Sequence, residues 1–162
     1  MKIGISSCLV GIKCTYSGSD NLIKGFDRFI DDFDGQIIMA CPEVLGGLST
    51  PRAPAEIQNQ DPLLIQNNQG RDVTNEYIKG ATKALQIFLD HQVEVALLKF
   101  RSPSCGNDSI YDGHFTHTLI NGQGVFAKML EDNGIKVFNE KQILEFLKYI
   151  GKEDVYGAYF KD

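Results

Sequence analysis

The sequence predicts a three-layer α/β fold, Rossmann-like in outline, with a mostly parallel sheet. Short apolar runs alternate with longer segments whose apolar residues recur every three or four positions. Parallel neighbours in a sheet require crossover helices on its faces, so this alternation favours three layers. Size agrees: 162 residues, 43% of them apolar, correspond to one domain spanning 1–162 whose core needs no staples.

The first strand is expected at Lys2–Ser6 and the second at Gln36–Ala40, both short apolar runs read as buried. Between them Leu22, Phe26, Phe29 and Phe33, with Ile23 and Ile30 alongside, mark an amphipathic helix. The segment 42–70 carries prolines 42, 51, 54 and 62, which argue against helix and leave room for a small hairpin near Glu56-Ile57 and Leu63–Ile65. From Thr74 a long helix follows Tyr77/Ile78, Ala81, Ala84/Leu85 and Phe88/Leu89, with Asp72 or Thr74 placed to cap it. A strand at 93–99 then gives way to the turn Arg101-Ser102-Pro103-Ser104-Cys105-Gly106. After an irregular stretch to Gly122 come a helix at 123–133 stopped by Gly134, a strand at 135–138 and an amphipathic helix at 142–150.

Sixteen Lys and Arg against 21 Asp and Glu leave a formal charge of −5, which gives no footprint for a long polyanion, so nucleic acid is not an expected partner. No run approaches the 18 or so apolar residues of a membrane span. Few apolar residues precede Ile5-Ser6-Ser7-Cys8, too few for a signal segment, so a cytoplasmic, reducing location is expected. There, cysteines serve as metal ligands, nucleophiles or core residues rather than as disulfides.

Three of the four cysteines follow expected strands: Cys8 two residues after the first, Cys41 one after the second and Cys105 six beyond Lys99 of the third. In parallel sheets, ligands collect at the carboxyl ends of the strands. Each thiol alone reads as a small buried hydrophobe. Three of them in Gly-, Ser- and Pro-rich turns at one sheet edge point instead to a metal or cluster site. Zinc is the weaker choice, because its structural sites use close pairs and the nearest pair here, Cys8 and Cys14, is six apart. A [4Fe–4S] cluster takes four thiolates as a rule, so its fourth iron would be open or bound by Cys14.

Glu43, two residues beyond Cys41, is placed to act as general acid or base, or is a solvated loop carboxylate. Ser102 and Ser104 either hold a water or an oxyanion or simply cap a turn. Arg52 and Arg101 are candidates to hold an anionic or carbonyl group, against the plainer reading of surface residues. His114 and His117 read as solvated loop residues. The zinc-deaminase pattern, the Walker loop and G-x-G-x-x-G are all missing from the sequence.

The run Ser6-Ser7-Cys8-Leu9-Val10-Gly11, followed by Cys14, Tyr16 and Gly18, then Cys41-Pro42-Glu43-Val44-Leu45-Gly46-Gly47-Leu48, Thr50-Pro51-Arg52, Gly70-Arg71-Asp72-Val73-Thr74 and Arg101-Ser102-Pro103-Ser104-Cys105-Gly106, resembles the thiouracil desulfidase family over nearly the whole chain. The resemblance implies a desulfidase-like α/β domain in which Cys8, Cys41 and Cys105 hold an oxygen-sensitive [4Fe–4S] cluster. It implies that the fourth iron, free of protein ligands, polarises the C–S bond of a small thiolated pyrimidine while water activated by an acidic residue attacks the ring. Uracil and sulfide are the implied products, with no net redox change. The acid–base role is carried to Glu43, and a polar positioning role to Ser102 or Ser104. Free base, nucleoside and modified tRNA stay open as substrates. The alternatives are a non-catalytic iron–sulfur or sulfur-carrier protein and a thiol redox enzyme using Cys8 and Cys14, the latter lacking the usual C-x-x-C spacing.

Overall fold

The computed structural model describes residues 1–161. Four strands, β1 (Lys2–Ser6), β2 (Gln36–Ala40), β5 (Val95–Leu98) and β8 (Lys136–Asn139), form an all-parallel sheet in the order β2-β1-β5-β8. Ile3 is in register with Ile37 on one side and Val95 on the other, and Val95 with Lys136 beyond. Side chains alternate across a strand, and each sheet face is covered accordingly. Ile3, Ile5, Val95, Leu97 and Phe138 pack against Phe26 and Phe29 of α1 (Phe26–Asp32) and Phe146 and Leu147 of α5 (Ile143–Tyr149). On the other face Ile38, Ala40, Ala96, Leu98 and Val137 meet Ala81, Ala84 and Phe88 of α3 (Thr74–Asp90) and Phe126 and Leu130 of α4 (Val125–Asp132). Each fully buried Phe or Leu contributes about 1.5–3 kcal/mol over leaving it in water, so the three-layer arrangement follows from the two apolar faces.

The long helix α3 begins at Thr74, as expected. Neither capping candidate occupies the cap position, which is Val73 and has no side-chain cap hydrogen bond: Asp72, one residue earlier, accepts from Thr74 N through Oδ1 at 2.9 Å, while the Thr74 hydroxyl accepts from Ile65 N at 2.8 Å. The hairpin within 42–70 forms as β3 (Ala55–Gln60) and β4 (Leu63–Asn67).

Four expectations are corrected. Strand β2 lies at the sheet edge rather than buried, and Met39 is 48% exposed because only β1 flanks it. Helix α1 starts at Phe26 instead of near Leu22, since Gly25 adopts a left-handed φ of 88°, which ends any continuous helix there. The prolines of 42–70 do not exclude helix: Pro42 opens α2 (Pro42–Leu45) at a first-turn position, where the missing N–H costs nothing. The stretch after Cys105 is not wholly irregular but carries an antiparallel pair, β6 (Ser109–Tyr111) and β7 (Leu119–Asn121). Near the C-terminus α6 (Tyr156–Tyr159) adds to the α1 face, with Phe160 at ring-centroid distances of 5.8 and 5.9 Å from Phe26 and Phe29.

Candidate active site

The carboxyl ends of β1, β2 and β5 open onto one cavity of about 630 Å³, and Cys8, Cys41 and Cys105 all line it. Their thiols are free. Each strand end is fixed differently. Cys8 sits in a 3₁₀ turn (Ser7–Val10), where its carbonyl accepts from Gly11 N at 3.3 Å and Asn21 N at 2.9 Å, and the Asn21 side chain hydrogen-bonds its sulfur.

Cys41 precedes α2, which lies directly on α3. A Cβ on Gly80 would run into the Pro42 carbonyl, and one on Gly46 into the carbonyl of Glu76. The glycines of the Cys41-Pro42-Glu43 segment and of α3 therefore allow the backbone approach that sets Cys41 and Glu43 at the cavity.

Cys105 belongs to a loop locked from within. Ser102 Oγ accepts from Cys105 N at 2.7 Å, and the Ser102 carbonyl from Gly106 N at 2.9 Å. The carbonyls of Pro103 and Ser104 in turn accept from Val125 N and Phe126 N at 2.9 and 2.8 Å. Those N–H groups at the start of α4 lack partners in their own helix, so the cysteine loop caps the helix that packs beneath it.

A polar array runs along one wall. The Ser104 hydroxyl donates to Glu43 Oε1 and lies 3.1 Å from Ser102 Oγ. Arg52 Nη2 is 3.5 Å from Glu43 Oε2 and donates to the Cys14 carbonyl at 2.9 Å. The Arg52 and Glu43 side chains are only 8% and 13% exposed. The structure thus brings together Cys8, Cys41, Cys105, Glu43, Ser102 and Ser104. Glu43 and Ser102 line the cavity, whereas Ser104 is fully buried behind Glu43.

The thiols differ in acidity. Burial pushes Cys8 up to about 11 and raises Cys105 further. As a thiol, Cys41 donates to the Cys14 carbonyl at 3.9 Å. As a thiolate it accepts from the Cys14 thiol, which lowers the pKa of Cys41, with help from the Arg52 charge, and raises that of Cys14.

Some features escaped the sequence reading. Arg52 is an internal partner of Glu43 rather than a free anion holder. Glu56, in the β3 run, is a buried carboxylate that accepts from Gly113 N at 3.0 Å and Phe115 N at 3.2 Å, fastening the 112–118 turn over the cavity. A Glu in an otherwise strand-like stretch was the one visible sign of it. His114 and His117 are exposed as expected, though His117 lines the cavity edge-on to Tyr111 at 5.8 Å.

The family model for 2-thiouracil desulfurase matches residues 3–142. The chain belongs to this family. Among curated relatives of this family member, the uncharacterized protein YbbK of Bacillus subtilis (strain 168) is 40% identical over 150 residues, covering 88% of this chain and 98% of that protein. Among solved structures, one described as the [4Fe-4S]-dependent thiouracil desulfidase TudS superposes with a TM-score of 0.84 at 37% identity, covering 93% of this chain and 97% of that one. The mostly parallel, helix-flanked sheet is common to both.

Proposed function

We propose that this chain, acting as a single desulfidase-like domain, is an iron–sulfur-dependent, non-redox desulfidase that removes sulfur from a thiolated pyrimidine such as thiouracil. The observation that carries the reading is the convergence of Cys8, Cys41 and Cys105, all free thiols, on the cavity that Glu43 and Ser102 also line. The donor set suits iron and sulfide: three soft thiolates from separate elements, with no carboxylate or imidazole among them. Among the described residues, no three His, Cys, Asp or Glu side chains gather for a single metal ion. A tetrahedral zinc would draw its thiolates to about 3.8 Å apart, whereas a cluster spreads its cysteines over several irons.

Cys8, Cys41 and Cys105 would hold the [4Fe–4S] group, which when bound supplies a soft Lewis acid for the substrate sulfur. The chain supplies the proton chemistry. Glu43 takes a proton from water as the oxygen attacks the ring carbon and passes it to the departing sulfur, and the second water proton follows the same route as the C–S bond breaks and the carbonyl forms, so that thiouracil and water give uracil and hydrogen sulfide with no electron transferred. Ser104 from behind and Arg52 from the cavity wall keep the carboxylate oriented. A carrier that only stored iron or sulfur would have no use for that buried, oriented carboxylate at the cavity wall.

The proposed substrate is a small molecule rather than nucleic acid, in keeping with the formal charge of −5. Among the described residues, no helix is long and apolar enough to cross a membrane, and a cytoplasmic setting matches the need for reduced thiols. The test is anaerobic reconstitution followed by 4-thiouracil in the same cuvette. About four irons per chain together with loss of the thiouracil absorbance band is the expected result. Iron uptake without turnover would overturn the desulfidase reading, and no iron uptake would overturn the cluster as well.

A further inference from the structure

Three Lys or Arg residues line the cavity, and two have carboxylate partners: Arg52 lies on Glu43, and Lys99 donates to Glu140 at 2.9 Å. Arg101 has none. Among the described residues its guanidinium makes no hydrogen bond and no ion pair, and its Nε is sealed from water without an acceptor. It lies over two rings, with Cζ 5.6 Å from the centroid of Phe100 and 5.5 Å from that of Tyr111. Its backbone is held at φ 72°, a left-handed conformation that costs a non-glycine residue about 1–3 kcal/mol.

A guanidinium partly stripped of water and offered no protein acceptor loses hydrogen bonds worth more than neutral ones. The two rings attract the charge but carry no conventional hydrogen-bond acceptor on their faces, so the N–H donors are not satisfied by them. The rings are themselves fixed: Phe100 N donates to both Glu140 oxygens at 3.0 and 2.7 Å, and Tyr111 belongs to β6, next to the turn that Glu56 fastens. Arg101 also directly precedes Ser102, the hydroxyl that accepts from Cys105 N. A planar donor edge in this place suits a planar acceptor.

We propose that Arg101 is a specificity-determining residue that binds the ring carbonyl oxygen of the pyrimidine, the exocyclic group that is not removed. The assignment rests on the desulfidase reading and adds which substrates that site accepts. A ring with the thione and no second carbonyl leaves the guanidinium unsatisfied, and such a penalty rejects an analogue far more strongly than a missing apolar contact does.

The experiment compares the reconstituted wild-type enzyme with Arg101→Met and Arg101→Lys on 4-thiouracil and on 4-thiopyrimidine, which lacks the ring carbonyl. Uracil binding to the same holoproteins is measured by calorimetry, and iron content and melting temperature confirm that the variants are loaded and folded. Arg101→Met is expected to lose about 10- to 100-fold in kcat/KM on 4-thiouracil, mostly through KM. It should leave 4-thiopyrimidine unchanged and weaken uracil binding by a similar factor, while Arg101→Lys recovers part of the loss. Equal losses on both substrates would overturn the proposal and make Arg101 a structural brace. Loss confined to a 5′-phosphorylated substrate would overturn it in favour of a phosphate acceptor. If the wild type turns over neither compound, the desulfidase reading fails, and uracil calorimetry still decides whether Arg101 binds the carbonyl.

Discussion

The floor and the rim of the cavity are built on different terms. The floor holds Cys8, Cys41 and Cys105 on turns whose carbonyls and N–H groups are committed to neighbouring backbone, and Ser104 and Cys105 are 0% and 4% exposed. The rim is formed by 12–21 and 111–118, where Tyr16 is 53% exposed and Thr15, Ser17 and Ser19 hydrogen-bond mainly to one another at 2.9–3.2 Å. A floor braced by main chain fixes three sulfurs against one another. In the rim, 12–21 relies largely on exposed hydroxyls, and 111–118 is anchored at one buried carboxylate, Glu56, so its exposed side chains tolerate exchange. The three thiols and the more variable surface are thereby placed in separate parts of one cavity.

The contrast breaks most sharply at the cysteines. Cys8→Ser, Cys41→Ser or Cys105→Ser should abolish thiouracil turnover and lower the iron content after anaerobic reconstitution. Full activity in any of the three would remove that residue from the floor. Glu43→Gln should lower kcat by about 10²–10⁴-fold while iron content stays at the wild-type level. That combination separates proton transfer from cluster binding.

Gly80→Ala tests whether the floor depends on backbone contact alone. The new methyl meets the Pro42 carbonyl, so the substitution should destabilise by about 1–3 kcal/mol in denaturant titration, despite the better helix propensity of Ala. A more stable variant would show that α2 is not seated on α3 as described.

Thiol reactivity sharpens the contrast within the floor. In iron-free protein the lowered pKa of Cys41 keeps thiolate present at a pH where Cys8, raised to about 11, and Cys105 are protonated. Iodoacetamide at neutral pH should label Cys41 first by peptide mass spectrometry, with Cys8 reacting only as the pH approaches its raised value. The smallest effect belongs to the rim: Ser17→Ala should change stability by less than about 0.5 kcal/mol and leave iron content untouched, as read by melting temperature and iron assay.

What the sequence revealed was local. The 3.6-residue periodicity from Thr74 onward and the apolar runs at 2–6 and 93–99 identified helix and strands, and strand ends in a parallel sheet share an edge, so three cysteines could be brought together without coordinates. The proximity of Glu43 to Cys41 is likewise a matter of two residues. Contacts between distant segments left no such mark. Arg52 meets Glu43 and the Cys14 carbonyl through a turn whose path no periodicity describes. Gly80 looks like a weak point in a helix until Pro42 is seen against it. The β6–β7 pair was missed because strands of three residues are too short for alternation to register, and Glu56 fastens its turn from 57 residues away.

Gly124 N donates to Gly106 O at 2.8 Å, and Gly122 N to Asp108 O at 3.1 Å. The chain that leaves the Cys105 loop therefore comes back beside its point of departure before entering α4. Residues 107–123 form a detour with a closed neck, and lengthening such a detour costs only about 0.6 kcal/mol per doubling. Segments of other lengths can be inserted at that neck while Cys105 stays where it is, which lets one cysteine floor be fitted with differently shaped mouths.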